Sequence, residues 1–168
     1  YGGGEYSNLK KRGYQPESFI NYALDVGLTQ NDKTLTGEEF FKSLDHFNKE
    51  IIEPTANRHF FIAEPKKIKI EGAPDQDIEL LLHPDDKKRG KRAFSVKDEF
   101  YISKEDFDSI KEKEFVRLMD CLNFKKENGK LIFVSTDYEE YKEKGKKIIH
   151  WLPVTDELIE VSLLMPDK

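Results

Sequence analysis

Residues 124–134 read FKKENGKLIFV, and this stretch carries the strongest signal for the fold. In it, Asn128-Gly129 separates Phe124 from an apolar run that begins at Leu131. An Asn-Gly pair in this setting is typical of a two-residue β-hairpin loop, because both residues tolerate a positive φ. The stretch therefore predicts a hairpin with two antiparallel arms.

Further short apolar runs follow Asn57 at fairly regular spacing. Turn signals such as Gly72-Ala73-Pro74 and Lys144-Gly145 separate them. A series of short strands with turns between them favours an antiparallel barrel or a sandwich. The runs predicted as strands are Phe60–Ile62, Ile68–Ile70, Ile78–Leu82, Phe100–Ile102, Phe115–Leu118, Leu131–Val134, Ile148–Leu152 and Ile159–Leu164.

The first part of the chain has a helical pattern instead. A helix is predicted from Pro16, which suits the first helical position, to Gly27, which suits a helix end. A second helix is predicted from Thr36, which has capping-box spacing to Glu39, and Pro54 ends it.

Three shorter segments complete the prediction. Three consecutive glycines within residues 1–8 disfavour any fixed element, so this segment is expected to be flexible. A polar turn is predicted over residues 28–35, and a short helix is predicted at Ser103–Lys113, where Ser103 and Asp106 resemble a cap. The fold class is therefore mainly β with a small helical unit: a subdomain of two or more helices over residues 1–56, followed by an antiparallel β-barrel over residues 57–168.

The composition restricts the possible settings. The chain has 168 residues, a formal net charge of −5 and one cysteine, Cys121, so it forms no internal disulfide. No apolar run approaches the ~20 residues that a membrane span needs, and no secretory segment opens the chain. These features favour a cytoplasmic protein. Basic blocks such as Lys10–Arg12 and Lys87–Arg92 still allow nucleic-acid binding, because such binding depends on where the positive charge lies.

The sequence offers no candidate catalytic or metal site. The histidines His46, His59, His83 and His150 are widely separated and have no metal-ligand spacing. Cys121 lies next to an apolar run and is expected to be a small buried side chain rather than a nucleophile. A phosphate-binding G-x-x-x-x-G-K-S/T loop is also absent from the sequence.

Several longer motifs resemble one family in the correct order. The sequence is similar to archaeal-type glutamyl-tRNA synthetases, members of the class I glutamyl- and glutaminyl-tRNA synthetase family, from about Leu9 to Lys168. The motifs that carry the resemblance are KRGYQPE at 11–17, GLTQND at 27–32, NKEIIEPTANR at 48–58, FFIAEP at 60–65, LHP at 82–84, GKR at 90–92, FVRLM at 115–119, KIIHWLP at 147–153 and VSLLMPD at 161–167.

The resemblance implies a C-terminal anticodon-binding fragment that carries the helical subdomain and the proximal barrel. The H-x-G-H-type and K-M-S-K-S-type segments of class I synthetases are absent, so the catalytic domain of the parent chain is not included. ATP and Mg are implied for the parent enzyme, whereas no cofactor and no catalysis are expected for the fragment. The implied partner is tRNA(Glu), with tRNA(Gln) left open, and neither DNA nor a membrane is implied.

The same resemblance, with the chemistry of RNA recognition, indicates the tRNA-binding residues. Arginine offers a planar fork of donors to a base edge or a phosphate, and lysine neutralises phosphates. Each candidate has an alternative role: the arginines can pair with surface carboxylates, and residues 87–92 can be a solvated hairpin tip. His59 is a weaker candidate for base stacking. The predicted tRNA-binding residues are Arg58, Arg117, Lys91, Arg92, Lys10, Lys11 and Arg12.

A second hypothesis comes from another functional class. The acidic net charge, and acidic stretches such as Asp137–Glu140, also suit a protein-interaction module that keeps the synthetase barrel but docks a partner protein. Salt dependence distinguishes the two hypotheses, because RNA binding weakens steeply with added salt.

Overall fold

The computed structural model describes residues 3–27 and 34–163, with side chains from residue 7 onward. These residues form two compact units. The helical unit comprises the described residues up to Ala56 together with residues 159–163, and the sheet unit is Asn57–Leu158. The predicted domains differ in placing residues 159–168 with the barrel, and their extent as folding domains stays a prediction.

The helical unit contains α1 (Gly3–Lys11), α2 (Pro16–Val26) and α3 (Gly37–Ile52). The predicted signals are confirmed for α2 and α3: Pro16 is at the start of α2, and Thr36 and Glu39 form a reciprocal capping box on α3. The prediction that residues 1–8 lack a fixed element is wrong from Gly3 onward. Good helix formers at residues 9–11 follow the glycines, and helix propagation offsets the cost of a few glycines. The predicted polar turn at 28–35 lies mostly outside the described residues.

The sheet unit contains most of the strands that the sequence predicts. The elements are β1 (Pro65–Glu71), β2 (Gln76–Leu81), β3 (Lys91–Val96), β4 (Glu99–Ser103), α4 (Lys104–Ser109), β5 (Phe115–Leu118), β6 (Asn123–Glu127), β7 (Lys130–Ser135), α5 (Tyr138–Lys144), β8 (Lys147–Ile149) and β9 (Leu152–Pro153). A 3₁₀ turn at Lys87–Arg89 precedes β3. Seven of the strands form one sheet in the order β8-β5-β6-β7-β1-β4-β9, and β2 pairs with β3 separately.

The predicted hairpin is confirmed at β6 and β7. The two strands are antiparallel, and Asn128 and Gly129 both have a positive φ, at 51° and 78°. These angles suit the tight turn whose twist matches that of the flanking strands. The short helix expected over Ser103–Lys113 is confirmed in part as α4, which ends at Ser109, and the Ser103 hydroxyl accepts from the Asp106 backbone N–H.

The prediction of an antiparallel sheet is wrong in two places. β1 pairs in parallel with β7, and β5 pairs in parallel with β8, so the sheet is mixed. Two parallel neighbouring strands are joined by a long connection, so no local turn signal in the sequence indicates that they pair. The strand pairings of the described residues do not close into a ring, and a barrel stays a prediction.

Three predicted strands differ from the structure. Phe60–Ile62 has no strand, because this segment packs through its side chains rather than by a ladder of backbone hydrogen bonds. The run at Ile148–Leu152 is interrupted between β8 and β9. Residues 159–163 also have no strand, and the last residue of that prediction, Leu164, lies outside the described residues.

The core of the sheet unit is centred on aromatic side chains. Trp151 is fully buried, with its ring centroid 5.5 Å from that of Phe100 and 5.7 Å from that of Phe94. The Trp151 Nε1–H donates to the Met119 carbonyl at 2.8 Å, so the indole is buried without an unpaired donor. Burying side chains of this size contributes roughly 2–3 kcal/mol each, and this packing holds β4 and the segment after β8 together.

Candidate nucleic-acid interface

A cleft of about 450 Å³ in the sheet unit contains two of the predicted RNA-binding arginines. Arg58 and Arg92 line it together with Phe60, and Glu79 and Asp120 contribute carboxylates to the same cleft. The structure therefore brings Arg58 and Arg92 together beside an aromatic ring. This is the combination of donors and stacking surface that single-stranded RNA requires.

The backbone of β2 and β3 determines where these two arginines lie. The Arg58 backbone N–H donates to the Leu82 carbonyl at 2.7 Å, which fixes the segment before β1 against the end of β2. Arg92 lies in β3 and is paired in register with Leu80 of β2. Both residues are thus held at the cleft by main-chain contacts.

Arg92 combines stacking with an unused donor. Its guanidinium carbon lies 4.8 Å from the Phe60 ring centroid and 5.5 Å from that of Phe94. Its Nε is buried and has no hydrogen-bond partner among the described residues. Burial lowers the pKa of Arg92 below the ordinary arginine value, although a guanidinium stays charged at any physiological pH. A partly desolvated cation with an unused donor favours a ligand that supplies an acceptor.

The sequence did not reveal the aromatic contact that Phe60 of this cleft makes with His150, which lies outside the cleft lining. The imidazole of His150 stacks on Phe60, with ring centroids 4.9 Å apart and an interplanar angle of 16°. His150 is exposed, whereas the next residue, Trp151, is buried. Phe60 and His150 are ninety positions apart in the chain and no local pattern links them, so only the tertiary structure brings them together. The weaker candidate His59 is also exposed.

Arg117 occupies a buried position instead. It is 6% exposed, and its Nη1 donates to the Asn123 side-chain oxygen at 2.8 Å and to the Thr136 carbonyl at 3.3 Å. Its guanidinium carbon also lies 5.2 Å from the Tyr138 ring centroid. These contacts connect β5, β6 and the start of α5 and support a structural role, so contact between Arg117 and RNA stays a prediction.

Lys91 lies next to the cleft but is paired. Its Nζ is 2.6 Å from the carboxylate of Glu79, which lines the cleft. Both side chains are exposed, and exposed ion pairs of this kind contribute about 0–1 kcal/mol to stability. Such a pair can open at little cost when a phosphate competes for the lysine.

The three basic residues before α2 belong to the helical unit. Lys10 and Lys11 are exposed in the last turn of α1, where positive charge suits the helix dipole. Arg12 lies 5.2 Å from the ring centroids of both Tyr14 and Phe41. The Tyr14 hydroxyl donates to Asp45, and burial together with this carboxylate raises the pKa of Tyr14 to about 12.

The described part of the chain lacks both a metal-ligand cluster and a membrane-spanning helix. No group of three or more His, Cys, Asp or Glu side chains there is arranged to hold a metal ion. None of the helices within residues 3–27 and 34–163 has the length and apolar character to cross a membrane.

Comparison with known proteins identifies a family and several relatives that the chain resembles. Residues 56–145 match the family described as tRNA synthetases class I (E and Q), anti-codon binding domain. The chain is 36% identical to a glutamate–tRNA ligase of Pyrococcus abyssi over 86% of the chain and 26% of the ligase. It is 38% identical to that of Thermoplasma acidophilum over 85% of the chain and 25% of the ligase. For the ligase of Methanocaldococcus jannaschii the identity is 34%, over 95% of the chain and 28% of the ligase. The chain thus spans about a quarter of the length of these relatives.

Proposed function

We propose that this chain, which belongs to the family of class I glutamyl- and glutaminyl-tRNA synthetase anticodon-binding domains, binds the anticodon arm of a glutamate tRNA. The family match over residues 56–145, more than half of the chain, carries the proposal. The bases of an anticodon loop are unstacked and accessible, so a protein can stack on them and bond to their edges.

The cleft of the sheet unit supplies the two kinds of contact that such a loop needs. Phe60 offers an aromatic ring in this cleft, and base–aromatic stacking contributes about 1–3 kcal/mol per base. Arg58 and Arg92 supply donors for base edges or phosphates, and Lys91 adds a charge once its pair with Glu79 opens. Lys10, Lys11 and Arg12 would hold phosphates of the same tRNA.

The rest of the parent protein belongs to the same proposal. It is a cytoplasmic glutamate–tRNA ligase whose catalytic domain, in the same chain, uses ATP and Mg to activate glutamate. The fragment contributes binding and orientation of the tRNA and no chemistry. The proposal also includes a glutamine tRNA as a second possible partner. It further includes closure of the sheet into the barrel of the family.

A titration with labelled transcripts tests the proposed function. The chain is titrated with a glutamate tRNA transcript and with the same transcript carrying a changed anticodon, each at 50 and 200 mM salt. We expect affinity that weakens with salt and that falls for the changed anticodon, since neutralising each phosphate contributes a salt-dependent term. Equal affinity for the two transcripts would overturn anticodon recognition, and an absence of binding would overturn tRNA binding by this chain.

Two variants connect the titration to the cleft. Arg92→Gln removes the charge and the planar fork, whereas Arg92→Lys keeps the charge. Because bidentate or stacked contacts need the planar guanidinium, we expect both variants to lose anticodon discrimination, with Arg92→Lys retaining more of the total affinity. Retention of full discrimination by Arg92→Lys would show that only the charge of Arg92 is used.

One observation supports a second candidate, the docking of a partner protein. Phe61 and Ile148 are 49% and 39% exposed, and both line a recess of about 290 Å³. Exposed apolar side chains grouped in a recess are typical of protein–protein contacts. Binding of a partner protein through this recess would be nearly independent of salt. Phe61→Ser would abolish the binding of that partner without changing the affinity for tRNA.

A further inference from the structure

A second cleft in the sheet unit concentrates positive charge in an otherwise acidic protein. This lysine cleft has a volume of about 480 Å³ and is lined by four lysines, two glutamates and Phe115. The balance of four positive and two negative charges leaves two positive charges, whereas the whole chain has a net charge of −5. The lysines are Lys111, Lys113, Lys144 and Lys146.

Most of this charge is not neutralised within the protein. Among the described residues, Lys111, Lys113 and Lys146 form no ion pair, and only Lys144 has a partner, Glu140, at 3.3 Å. The two glutamates of the cleft bind backbone N–H groups instead. Glu114 accepts from the Lys111 N–H at 2.8 Å, and Glu112 accepts from the Asn128 N–H. Elsewhere in the sheet unit, lysines such as Lys67, Lys69 and Lys130 are paired with carboxylates at 2.8–3.0 Å.

The backbone beneath the lysine cleft is held in place on both sides. The Lys113 N–H donates to the Lys126 carbonyl at 2.7 Å, and the Lys146 N–H donates to the Phe115 carbonyl at 3.0 Å. Gly145 packs so closely against Tyr141 that an added Cβ would lie 2.0 Å from the ring. The backbone positions of Lys144 and Lys146, on either side of that glycine, are therefore fixed.

Lys113 occupies a backbone conformation that lysine rarely adopts. Its φ is 63°, in the left-handed region that glycine and asparagine favour. A lysine at such a position costs folding stability relative to glycine, and strained residues of this kind cluster at functional sites. A requirement for the positive charge in the cleft would account for the lysine.

We propose that the lysine cleft binds backbone phosphates of the tRNA, as a site separate from the cleft that contains Arg58 and Arg92. This inference rests on the proposed function. Three unpaired lysines converging on one recess suit a polyanion with closely spaced charges, and lysine binds phosphate as a point charge without reading sequence. The lysine cleft therefore adds affinity equally for every anticodon.

The test compares two triple variants that remove the same charge. The cleft variant replaces Lys111, Lys113 and Lys146 by Gln. The control variant replaces the paired residues Lys67, Lys69 and Lys130 by Gln. Each protein is titrated with the two transcripts at 50 and 200 mM salt, and the fluorescence of the single tryptophan, Trp151, confirms that each is folded.

The expected result is specific to the cleft variant. Loss of three phosphate contacts lowers the slope of log Kd against log salt by about 2, so the ratio of Kd at 200 mM to Kd at 50 mM falls roughly 20-fold. The reduction is the same for both transcripts. The control variant changes that slope by less than about 0.5, because no contact is lost. In addition, Lys113→Gly alone weakens binding without lowering the melting temperature, since glycine relieves the backbone strain.

Three outcomes would overturn the inference. If both triple variants reduce the slope equally, the effect comes from the loss of three positive charges anywhere on the protein and not from the lysine cleft. If the cleft variant binds like the unaltered chain while anticodon discrimination persists, the lysine cleft is not an RNA site although the proposed function stands. If the unaltered chain binds neither transcript, the inference and the proposed function both fail.

Discussion

Arg117→Met separates a structural arginine from one that binds RNA. We expect this variant to lower the free energy of unfolding of the sheet unit by about 3 kcal/mol and to leave tRNA affinity nearly unchanged under conditions in which the protein is folded. The reason is that Arg117 is almost fully buried and its Nη1 donates to Asn123 and to the Thr136 carbonyl inside the protein.

The magnitude follows from the contacts that are lost. A hydrogen bond from a charged donor contributes about 1.5–3 kcal/mol, and the Arg117 Nη1 makes a short one to Asn123, at 2.8 Å. Asn123 is fully buried, so its side-chain oxygen would lose that donor out of reach of solvent. The interaction with the Tyr138 ring at 5.2 Å adds about 0.5–1 kcal/mol. Methionine recovers part of the packing, because it is flexible and apolar.

Urea unfolding followed by tryptophan fluorescence measures this loss. Trp151 is the single tryptophan of the chain and is fully buried in the sheet unit, so its emission reports on that unit. The matched control is Arg58→Met, at an exposed position that lines the cleft shared with Arg92. The control is expected to change stability by less than about 0.5 kcal/mol and to weaken tRNA binding.

A reversed pattern would refute this reasoning. If Arg117→Met unfolds within 0.5 kcal/mol of the unaltered chain but loses tenfold or more in tRNA affinity, the guanidinium acts on RNA and its internal bonds contribute little. A large loss of stability for Arg58→Met would likewise contradict the assignment of Arg58 to the surface.

Three further predictions concern packing and pH. Gly145→Ala is expected to destabilise the sheet unit by about 2 kcal/mol, because the new Cβ would overlap the Tyr141 ring, and urea unfolding measures it. Tyr14→Phe is expected to cost the helical unit about 1–2 kcal/mol through loss of the bond to Asp45, as followed by circular dichroism. Burial raises the pKa of Cys121 to about 12, above the unfolded value of about 8.5. The stability that the protonated thiol contributes is therefore fully present below about pH 8.5 and is lost as the pH rises from there towards 12.

Each of these predictions has a control. Gly37→Ala adds a Cβ with no heavy atom within 4 Å and should not destabilise the chain, so an equal loss at both glycines would contradict the packing argument. Cys121→Ala should flatten the decline of stability between pH 9 and pH 11, and an unchanged decline would assign it to other groups. An unchanged melting transition in Tyr14→Phe would show that the hydroxyl bond contributes nothing.

The helix ends were predictable because their signals are local. Pro16 at a helix start, and the Thr36–Glu39 capping box, act on backbone groups within one turn, so residue type and spacing identify them. The hairpin at Asn128-Gly129 is predictable for the same reason, because its positive φ angles restrict the residues that fit. The strand β3 was missed because it begins with two charged residues, Lys91 and Arg92, which weaken the apolar pattern.

The candidate site was predictable only in part. Arg58 and Arg92 were identified by resemblance, and the structure places them in one cleft. Arg117 carries an equally good motif but is buried, because its strand lies inside the sheet with neighbours on both sides. Motif matching indicates which residues a family uses but not which donors are already bonded within the protein.

The sequence by itself determined the family, the caps of the helices and the hairpin, because each depends on residues close together in the chain or on motifs in a fixed order. The tertiary structure decided which strands run parallel, that His150 stacks on Phe60, and that three unpaired lysines converge in one cleft. These features join residues far apart in the chain, and their energy comes from packing and charge contacts that exist only after the sheet has formed.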